Sequence, residues 1–308
     1  NVSQVPYVQR TVIADALGLP ERAVQVINDD IGGGFGYKGL LYVEDLLIPY
    51  LAHKLNLPVK WIEDRREHLI ASYQERTQHH DLEMALDDDG LIIGIRGRFI
   101  HDHGAYSPWG PTVPLLTVVN IPGPYKVPHY NVEAVIVYTN CVPVAPVRGA
   151  GRPQAVYAME RLLDSAARQL KMDPVELRHK NLIQADEYPF DVGFVSRDGT
   201  RRIYDSGNVP ALLDRAVSII DRDARLREQT ELRKQGRYIG IGVACVVEES
   251  GLGPYEEAIL DMELDGKVTV RIGTPSHGQG QRTVFAQIVA EELAIPFGDV
   301  TVLTGDTD

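Results

Sequence analysis

The sequence predicts an α+β fold, in which mixed sheets are flanked by helices. Stretches with the period of helices and of strands are interspersed along the 308 residues, and no internal repeat is visible. Residues 79–100 are typical of a long hairpin, because two alternating stretches flank an Asp-Gly turn. Three glycine-bearing loops, within 31–38, 140–153 and 273–280, each follow a predicted strand and lead to a predicted helix. The fold therefore combines strand-to-helix connections with antiparallel pairing.

Helices and strands are predicted to alternate before the hairpin. Val8, Val12, Ile13 and Leu17 recur at helical spacing, and Gly18 then favours the left-handed conformation that ends a helix. The predicted elements of this part are a helix at 6–17, a strand at 23–28, a helix at 41–55, a strand at 57–62 and a charged turn or short helix at 63–67.

After the hairpin, two stretches without clear periodicity interrupt the predicted elements. Residues 102–129 are rich in Gly, Pro and aromatic residues, which favours a loop. Residues 184–207 favour a domain boundary or a surface excursion, and we place the boundary at 190. The other predicted elements are strands at 131–138, 239–247, 258–264 and 268–272, helices at 154–170, from Asp173, within 208–235 and at 283–293, and a strand pattern just before Asp308.

Composition limits the classes of partner and compartment. The formal net charge is −12 and the sequence pI is near 5.2, which argues against nucleic acid or an anionic membrane as the main partner. Cys141 and Cys245 show no metal-ligand spacing, which fits the reducing cytoplasm. No apolar run approaches the ~20 residues of a membrane-spanning helix. Because the chain does not begin with Met and stops directly after a strand pattern, we expect a fragment of a longer protein.

The three loops offer the chemistry of an anion-binding site. Residues 31–38 contain three consecutive glycines and a fourth at Gly36, which are costly to order and let a backbone approach a ligand closely. Arg148 has a planar fork suited to a phosphate or an oxo group. Gln279 lies between two glycines, so its amide can reach the edge of a ligand. Because each loop leads to a predicted helix, three helix N-termini could converge on one anion. His277 is predicted to make only a local hydrogen bond.

A Rossmann-type dinucleotide site is the alternative interpretation of the first loop. Gly34-Phe-Gly-Tyr-Lys-Gly39 satisfies G-x-G-x-x-G between a predicted strand and a predicted helix. Glu63 and Asp64 end the next strand, near the place of the ribose-binding acid. However, the hairpin replaces the next βαβ unit, and two further glycine loops remain unexplained. A module that binds NAD(P) or FAD is therefore the second hypothesis.

The order of the three motifs also resembles a known family. The motifs are Gly-Gly-Gly-Phe-Gly-x-Lys at 32–38, Arg-Gly-x-Gly-x-Pro-Gln at 148–154 and Gly-Gln-Gly at 278–280. Together with residues 58–65 and 172–181, they resemble the molybdenum-binding large subunit of the xanthine dehydrogenase and aldehyde oxidase family. The resemblance covers essentially the whole chain, and it is closest to the carbon-monoxide-dehydrogenase-like branch.

This resemblance implies a molybdopterin cofactor, often the cytosine dinucleotide form in bacteria, and hydroxylation of an electron-poor carbon with water as the oxygen source. Electrons would leave through iron–sulfur clusters to FAD on partner subunits or domains. Phe35 would lie beside the metal and Arg148 would contact the pterin or the oxo ligands, so both are candidate catalytic residues. No side chain of the chain is expected to ligate the metal itself. The candidate cofactor-binding residues are Gly33, Gly34, Phe35, Gly36, Arg148, Gly149, Ala150, Gly278, Gln279 and Gly280.

The resemblance also implies that the chain is incomplete. It divides the chain into a first molybdopterin-binding domain at 1–190, and linking helices with the start of a second such domain at 191–308. The family's general-base glutamate would lie after Asp308, and a metal-side glutamine before Asn1. We therefore expect this chain alone to be inactive, and a non-catalytic cofactor-binding fragment is a further hypothesis.

The substrate is left open among an aldehyde, an aromatic heterocycle and a reductive aroyl-CoA reaction. Purine-oxidising members of the family carry a glutamate where Gly39 stands and an aromatic residue where Ala150 stands. They also carry an arginine before a Tyr-Lys-x-Pro element, whereas residues 111–120 have no charge. Purine oxidation is therefore not expected. Carbon monoxide dehydrogenases bind copper through a cysteine at the position of Gly149, so oxidation of carbon monoxide is not expected either.

Overall fold

The computed structural model describes residues 2–29, 31–195, 199–248 and 255–307. These residues form helices and small sheets with both parallel and antiparallel pairing, which confirms the predicted α+β fold. No helix among them is long and apolar enough to cross a bilayer. The helices are α1 (Pro6–Leu17), α2 (Val43–Leu55), α3 (Arg65–Ala71), α4 (Thr112–Asn120), α5 (Arg152–Leu170), α6 (Pro174–Asn181), α7 (Val209–Ile219), α8 (Arg222–Lys234) and α9 (Gln281–Leu293). The strands are β1 (Gln78–Leu86), β2 (Ile92–Asp102), β3 (His129–Val137), β4 (Phe190–Val195), β5 (Arg201–Tyr204), β6 (Ala258–Met262), β7 (Val268–Ile272) and β8 (Val300–Leu303).

The chain forms two compact units that are not consecutive in sequence. Unit 1 consists of Asn1–Gln74, Ala145–Arg148 and Ser250–Asp308. Unit 2 consists of Glu75–Val144 and Gly149–Glu249. The first and third glycine loops therefore belong to unit 1, whereas the second loop is divided directly after Arg148.

The main sheet of unit 2 is built on the predicted hairpin. β1 and β2 are antiparallel, and β3 pairs with β2 in parallel. The turn is held by Asp87, whose Oδ1 accepts hydrogen bonds from the N–H groups of Asp89 and Leu91 at 3.0 and 2.8 Å. The apolar face of α5 packs on this sheet, as its helical spacing predicts. The buried residues of this core are Ile92, Ile95, Ile121, Tyr125, Ala155, Met159, Leu163, Ala166, Ala167, Leu177, Leu182, Leu213 and Cys245.

A buried ion pair joins α5 to α6 inside unit 2. Arg178 Nε donates to Glu160 Oε2 at 2.7 Å, and both side chains are removed from solvent. Glu160 Oε1 also accepts from the Tyr125 hydroxyl at 2.7 Å and from the Cys245 N–H at 3.1 Å. Burial, followed by the charge of Glu160, raises the pKa of Tyr125 well above its usual range. Both oxygens of the Glu160 carboxylate therefore accept hydrogen bonds inside the core.

Unit 1 contains a smaller sheet in the order β6-β7-β8, on which α9 packs. β6 and β7 are antiparallel, and β8 is parallel to β7. Their core consists of Val268, Val270, Ala286 and Val302. α1 ends at Gly18, which takes the predicted left-handed conformation with φ of 66°.

Several predictions of secondary structure were wrong. The predicted strand at 23–28 forms only an isolated bridge between Ile27 and Asp306, and no described residue pairs with 57–62 or 239–247. Alternation of apolar and polar residues predicts an extended segment. A strand also needs a neighbouring strand whose backbone forms hydrogen bonds with it. The predicted loop at 102–129 contains α4. The stretch at 184–207, for which no helix or strand was predicted, contains the antiparallel pair of β4 and β5.

Candidate functional site

The first glycine loop is shaped by positive backbone dihedrals. Gly33 and Gly36 have φ of 91° and 103°, and Phe35, which is not a glycine, has φ of 56°. A Cβ on Gly36 would overlap the carbonyl oxygen of Pro146. The Phe35 ring lies over Gly33 and is 55% exposed. A non-glycine residue held in this region carries backbone strain of the kind that clusters at functional sites.

Two contacts hold the first loop to its neighbours in unit 1. The Gly36 N–H donates to Gln4 Oε1 at 2.9 Å, and the Arg148 N–H donates to the Phe35 carbonyl at 2.7 Å. A Cβ on Gly34 would lie 2.5 Å from Gln4 Cδ, so a side chain at this position would displace the Gln4 carboxamide. The predicted residues Phe35 and Arg148 are thereby brought together through the backbone.

The first loop does not end at a helix N-terminus, which corrects the predicted cradle of three helices. α2 begins only at Val43, after a 3₁₀ turn at Tyr37–Gly39. The loop is closed instead by Lys38, whose Nζ donates to the Ile31 carbonyl at 2.7 Å. Burial lowers the pKa of Lys38, and the charge of Glu63 opposes this effect.

The second loop is equally constrained. Gly149 and Gly151 have φ of 105° and 89°, and Ala150 between them has φ of 47°. A Cβ on Gly149 would lie 2.6 Å from the Pro153 ring, and one on Gly151 would overlap the Val113 carbonyl oxygen. Gly151 is the N-cap of α5, so this loop does lead directly into a helix.

The third loop leads directly into α9. Gly280 is the N-cap of that helix, with φ of 76°. The Gln279 carboxamide oxygen accepts a hydrogen bond from the His277 N–H at 2.6 Å, so its NH₂ group is left to donate to another acceptor. Burial, followed by the charge of Lys38, lowers the pKa of His277, which therefore lies near the first loop. The buried Nε2 of His277 has no hydrogen-bond partner among the described residues.

Most of the predicted site residues thus belong to unit 1, namely Gly33, Gly34, Phe35, Gly36, Arg148, Gly278, Gln279 and Gly280. Gly149 and Ala150 belong to unit 2, although Gly149 follows Arg148 directly. Sequence reasoning missed Gln4, Glu75 and Thr117, which hold the glycine loops from distant places in the chain. No local pattern marks these polar residues, because each contact joins segments more than 30 residues apart.

The donors of this site suit a pterin carrying phosphate. Gln279 offers an amide NH₂, His277 offers an unpaired ring nitrogen, and the glycine backbones leave space for close approach. The Gln279 NH₂ suits an acceptor of a pterin or a phosphate oxygen, and the His277 ring nitrogen can donate or accept according to its tautomer. The described residues therefore fit the group that the family resemblance implies.

Comparison with known proteins identifies the family. Residues 1–182 and residues 215–308 match two family profiles, both described as a molybdopterin cofactor-binding domain. The chain therefore belongs to the molybdopterin cofactor-binding family, which confirms the resemblance drawn from the three loops. The Rossmann hypothesis is wrong, because the described residues before the first loop form no strand pairing beyond the isolated bridge at Ile27, and α2 begins four residues after Gly39.

Its relatives include subunits of proteins named as dehydrogenases. The chain is 37% identical over 302 residues to the 6-hydroxypseudooxynicotine dehydrogenase complex subunit gamma of Paenarthrobacter nicotinovorans, covering 97% of this chain and 38% of that protein. It is 34% identical to the carbon monoxide dehydrogenase large chain of Hydrogenophaga pseudoflava, covering 99% and 40%. The crystal structure of quinoline 2-oxidoreductase from Pseudomonas putida 86 matches with a TM-score of 0.91 at 34% identity, over 100% of this chain and 40% of that one. The chain thus spans about 40% of the length of these relatives.

Proposed function

We propose that the chain is part of the molybdopterin-binding subunit of a molybdenum hydroxylase that oxidises an aromatic nitrogen heterocycle, with water as the oxygen source. The observation that carries this proposal is the contact between the first two loops, in which the Phe35 carbonyl accepts from the Arg148 N–H. It brings the two candidate catalytic residues to one place in unit 1. Family membership supplies the cofactor class.

In this proposal, the residues of the chain bind and orient rather than perform the redox chemistry. When bound, the molybdenum cofactor supplies oxygen transfer and accepts electrons. The Gln279 NH₂ donates to an acceptor of the cofactor, and the Arg148 guanidinium neutralises negative charge there. The exposed Phe35 ring offers an apolar face beside which a flat substrate can lie.

The preference for a heterocycle rests on the relatives and on the size of the loop residues. Two relatives are named for nitrogen heterocycles, nicotine 6-hydroxylase and quinoline 2-oxidoreductase. Gly149 and Ala150 have small side chains or none, which leaves space for a ring. An aldehyde is the runner-up, and an aldehyde oxidoreductase shares the fold.

Carbon monoxide is excluded from this proposal, although large chains of carbon monoxide dehydrogenases are relatives. A cysteine that holds copper would have to replace Gly149. Its φ is 105° and its Cβ would lie 2.6 Å from Pro153 Cδ, so a side chain there would be strained. We expect the complete enzyme to contain molybdenum without stoichiometric copper.

The experiment is to purify the full-length protein that carries this chain with its cofactor, and to measure molybdenum, pterin and copper. Turnover is then tested with quinoline, nicotine, benzaldehyde and carbon monoxide. Copper-free oxidation of a heterocycle supports the proposal, whereas oxidation of benzaldehyde alone selects the runner-up. A protein that binds pterin and turns over none of them would instead be a non-catalytic cofactor-binding protein.

Two variants with matched controls test the role of the loops. Arg148→Ala removes a charge-assisted contact, for which the expected loss is about 1.5–3 kcal/mol of cofactor binding. Gly34→Val displaces Gln4 and blocks close backbone approach, so we expect it to abolish cofactor loading in a folded protein. The controls are Arg168→Ala, an exposed residue of α5, and Gly298→Val, which has no atom within 4 Å of a Cβ. Full molybdenum content in both loop variants would overturn the site assignment.

The domain bounds, the form of the cofactor, the partner subunits and the compartment are part of the same proposal. We place a first domain at 1–190 and the start of a second at 191–308, which is supported by the two family matches. The cofactor would be the cytosine dinucleotide form, iron–sulfur and FAD subunits would be the partners, and the complex would be cytoplasmic. Because the chain spans about 40% of its relatives, we expect it to be inactive alone. Nucleotide analysis of the released cofactor and the subunit composition of the purified complex test these statements.

A further inference from the structure

We infer that Glu75 positions the segment Gly149–Gly151 of the second glycine loop for the cofactor. This inference rests on the proposed function for its cofactor step, and on unit 2 alone for its geometry. Glu75 lies 76 residues before Gly151 in sequence, and nothing in its sequence surroundings marks it as a site residue.

Glu75 caps a helix that its own sequence leaves uncapped. Gly151 is the N-cap of α5, and a glycine has no side chain that could accept a hydrogen bond from the first turn. Glu75 Oε1 accepts from the Gly151 N–H at 2.8 Å and from Gln154 Nε2 at 3.1 Å. A carboxylate at the N-terminus of a helix of 19 residues also complements the positive end of the helix dipole.

The Glu75 side chain is completely buried, with 0% exposure. A buried carboxylate is costly unless it is paired and hydrogen-bonded. Arg76 Nη1 lies 2.5 Å from Glu75 Oε1 and supplies the counter-charge. Arg76 has a positive φ of 96°, so the backbone adopts a strained conformation where this pair forms. The ion pair with Arg76 and the hydrogen bonds together compensate the cost of burying the Glu75 carboxylate.

A second buried side chain holds the other polar group of Gly151. Thr117 Oγ1 of α4 lies 3.1 Å from the Gly151 carbonyl and 3.1 Å from the Val113 carbonyl, so these two acceptors share its one proton, and Thr117 is fully buried. Gln78 Nε2 in turn donates to Thr117 Oγ1 at 3.0 Å. The N–H and the carbonyl of Gly151 are thus both fixed by side chains of unit 2. Together they hold Gly149 and Ala150, the two site residues of this unit, in their left-handed conformations.

The test compares Glu75→Leu and Glu75→Gln with Glu160→Gln in the full-length protein. Glutamine keeps an acceptor for the Gly151 N–H, whereas leucine removes it. Glu160 is the control because it is also a buried, ion-paired carboxylate of unit 2, but it contacts Tyr125, Arg178 and Cys245 rather than the loop. Three quantities are measured: the melting temperature, the half-time of molybdenum and pterin loss on dialysis, and amide hydrogen exchange of residues 147–155 without cofactor.

We expect Glu75→Leu to lose cofactor about tenfold faster than wild type, the factor that a lost charge-assisted hydrogen bond produces. Glu75→Gln should restore most of the retention, and exchange should accelerate only within 147–155. Glu160→Gln should lower the melting temperature without faster cofactor loss from the folded protein. If cofactor loss in all three variants merely follows the melting temperature, Glu75 is an ordinary structural residue and the inference fails.

The same measurements separate this inference from the proposed function. If wild-type protein binds no molybdopterin, the proposed function fails, and hydrogen exchange alone decides whether Glu75 holds the loop. Accelerated exchange confined to 147–155 in Glu75→Leu would then uphold the positioning role. Unchanged exchange there would overturn it, whatever the cofactor content.

Discussion

Gly36 shows at the residue scale how the first loop depends on the absence of a side chain. Its φ of 103° is unfavourable for other residues, and a Cβ would overlap the Pro146 carbonyl oxygen. Its N–H also donates a hydrogen bond to Gln4 Oε1. The adjacent loop residue Gly39 has neither constraint, since its φ is not positive and no atom lies within 4 Å of a Cβ.

We therefore expect Gly36→Ala to lower the free energy of unfolding by about 1–3 kcal/mol, through backbone strain and the forced separation of the loop from Pro146. Gly39→Ala should change it by less than about 0.5 kcal/mol. Urea titration of the full-length protein and of both variants measures this difference. Equal values for the two variants would show that the close approach to Pro146 has no energetic consequence.

His101 makes the free energy of unfolding depend on pH, and its burial determines the direction of this dependence. It is fully buried, and its Nδ1 lies 3.1 Å from Gln78 Nε2, so Nδ1 accepts and the ring is neutral. Burial, followed by the nearby His103, lowers the pKa of His101 to about 4, whereas Asp102 acts in the opposite direction. In the unfolded chain, the pKa of a histidine is about 6.5.

The pKa of His101 is lower in the folded protein than in the unfolded chain. Its neutral ring therefore contributes fully to the free energy of unfolding above pH ~6.5, and this contribution is lost as the pH falls toward the folded pKa. The loss amounts to about 3 kcal/mol at most. We expect His101→Gln to make the free energy of unfolding less dependent on pH in this window. His129→Gln, an exposed position on β3, is the control. A pH profile of His101→Gln that is as steep as that of wild type would contradict the assignment.

At the scale of elements, the pairing of α5 with α6 depends on one buried guanidinium. Arg178 is fully buried and bonds to Glu160, to Asp164 and to the Pro174 carbonyl. Its removal leaves the Glu160 carboxylate in the core without a counter-charge. We expect Arg178→Gln to cost about 3–5 kcal/mol of unfolding free energy, because an uncompensated buried charge is strongly destabilising.

The matched control for this element is Arg161→Gln on the exposed side of α5. Among the described residues, Arg161 pairs only with Asp164, at 3.5 Å, and its side chain is 54% exposed. A surface pair of this kind contributes about 0–1 kcal/mol. Guanidinium chloride titration should therefore separate the two variants clearly. If both lose the same free energy, the Glu160 carboxylate is not energetically coupled to Arg178.

At the scale of the whole molecule, many large apolar side chains between residues 43 and 70 of unit 1 are exposed, and we call this surface the 43–70 face. α2 is rich in Leu, Ile and Tyr, yet none of its residues is buried. A cavity of about 750 Å³ lies among α2, residues 59–65 and His68. The exposed apolar residues of the face are Val43, Leu47, Tyr50, Leu55, Leu57, Trp61, Ile62, Leu69 and Ile70. Large exposed apolar patches mark interaction surfaces or aggregation-prone proteins.

We expect the isolated 308-residue chain to bind a hydrophobic dye and to self-associate as its concentration rises. The double variant Leu47→Lys, Ile62→Lys should reduce both effects by introducing charge into the face. A control with Leu212→Lys and Ile219→Lys adds the same charge on α7 of unit 2, outside the face. Dye fluorescence and analytical ultracentrifugation measure the difference. Equal behaviour of the two double variants would show that the face is not the cause.

The sequence by itself determined the family, the cofactor class and most of the periodic elements. The three glycine motifs mark places where the backbone must take positive φ or approach another group, and such demands are written locally in the residue type. Helices such as α1, α5 and α9 and the hairpin β1–β2 were predicted for the same reason. Their spacing and their turns are local properties.

Only the tertiary structure decided which segments pair and which side chains hold the loops. Residues 57–62 and 239–247 alternate like strands, but pairing depends on a partner that no local pattern specifies. α4 was missed because its Gly- and Pro-rich surroundings favour a loop, whereas burial of Val113 and Thr117 stabilises the helix. Gln4, Glu75 and Thr117 act across long separations in sequence, and their hydrogen bonds exist only once the chain has folded. Local conformational demands can be read from residue types, whereas contacts between distant segments are set by packing.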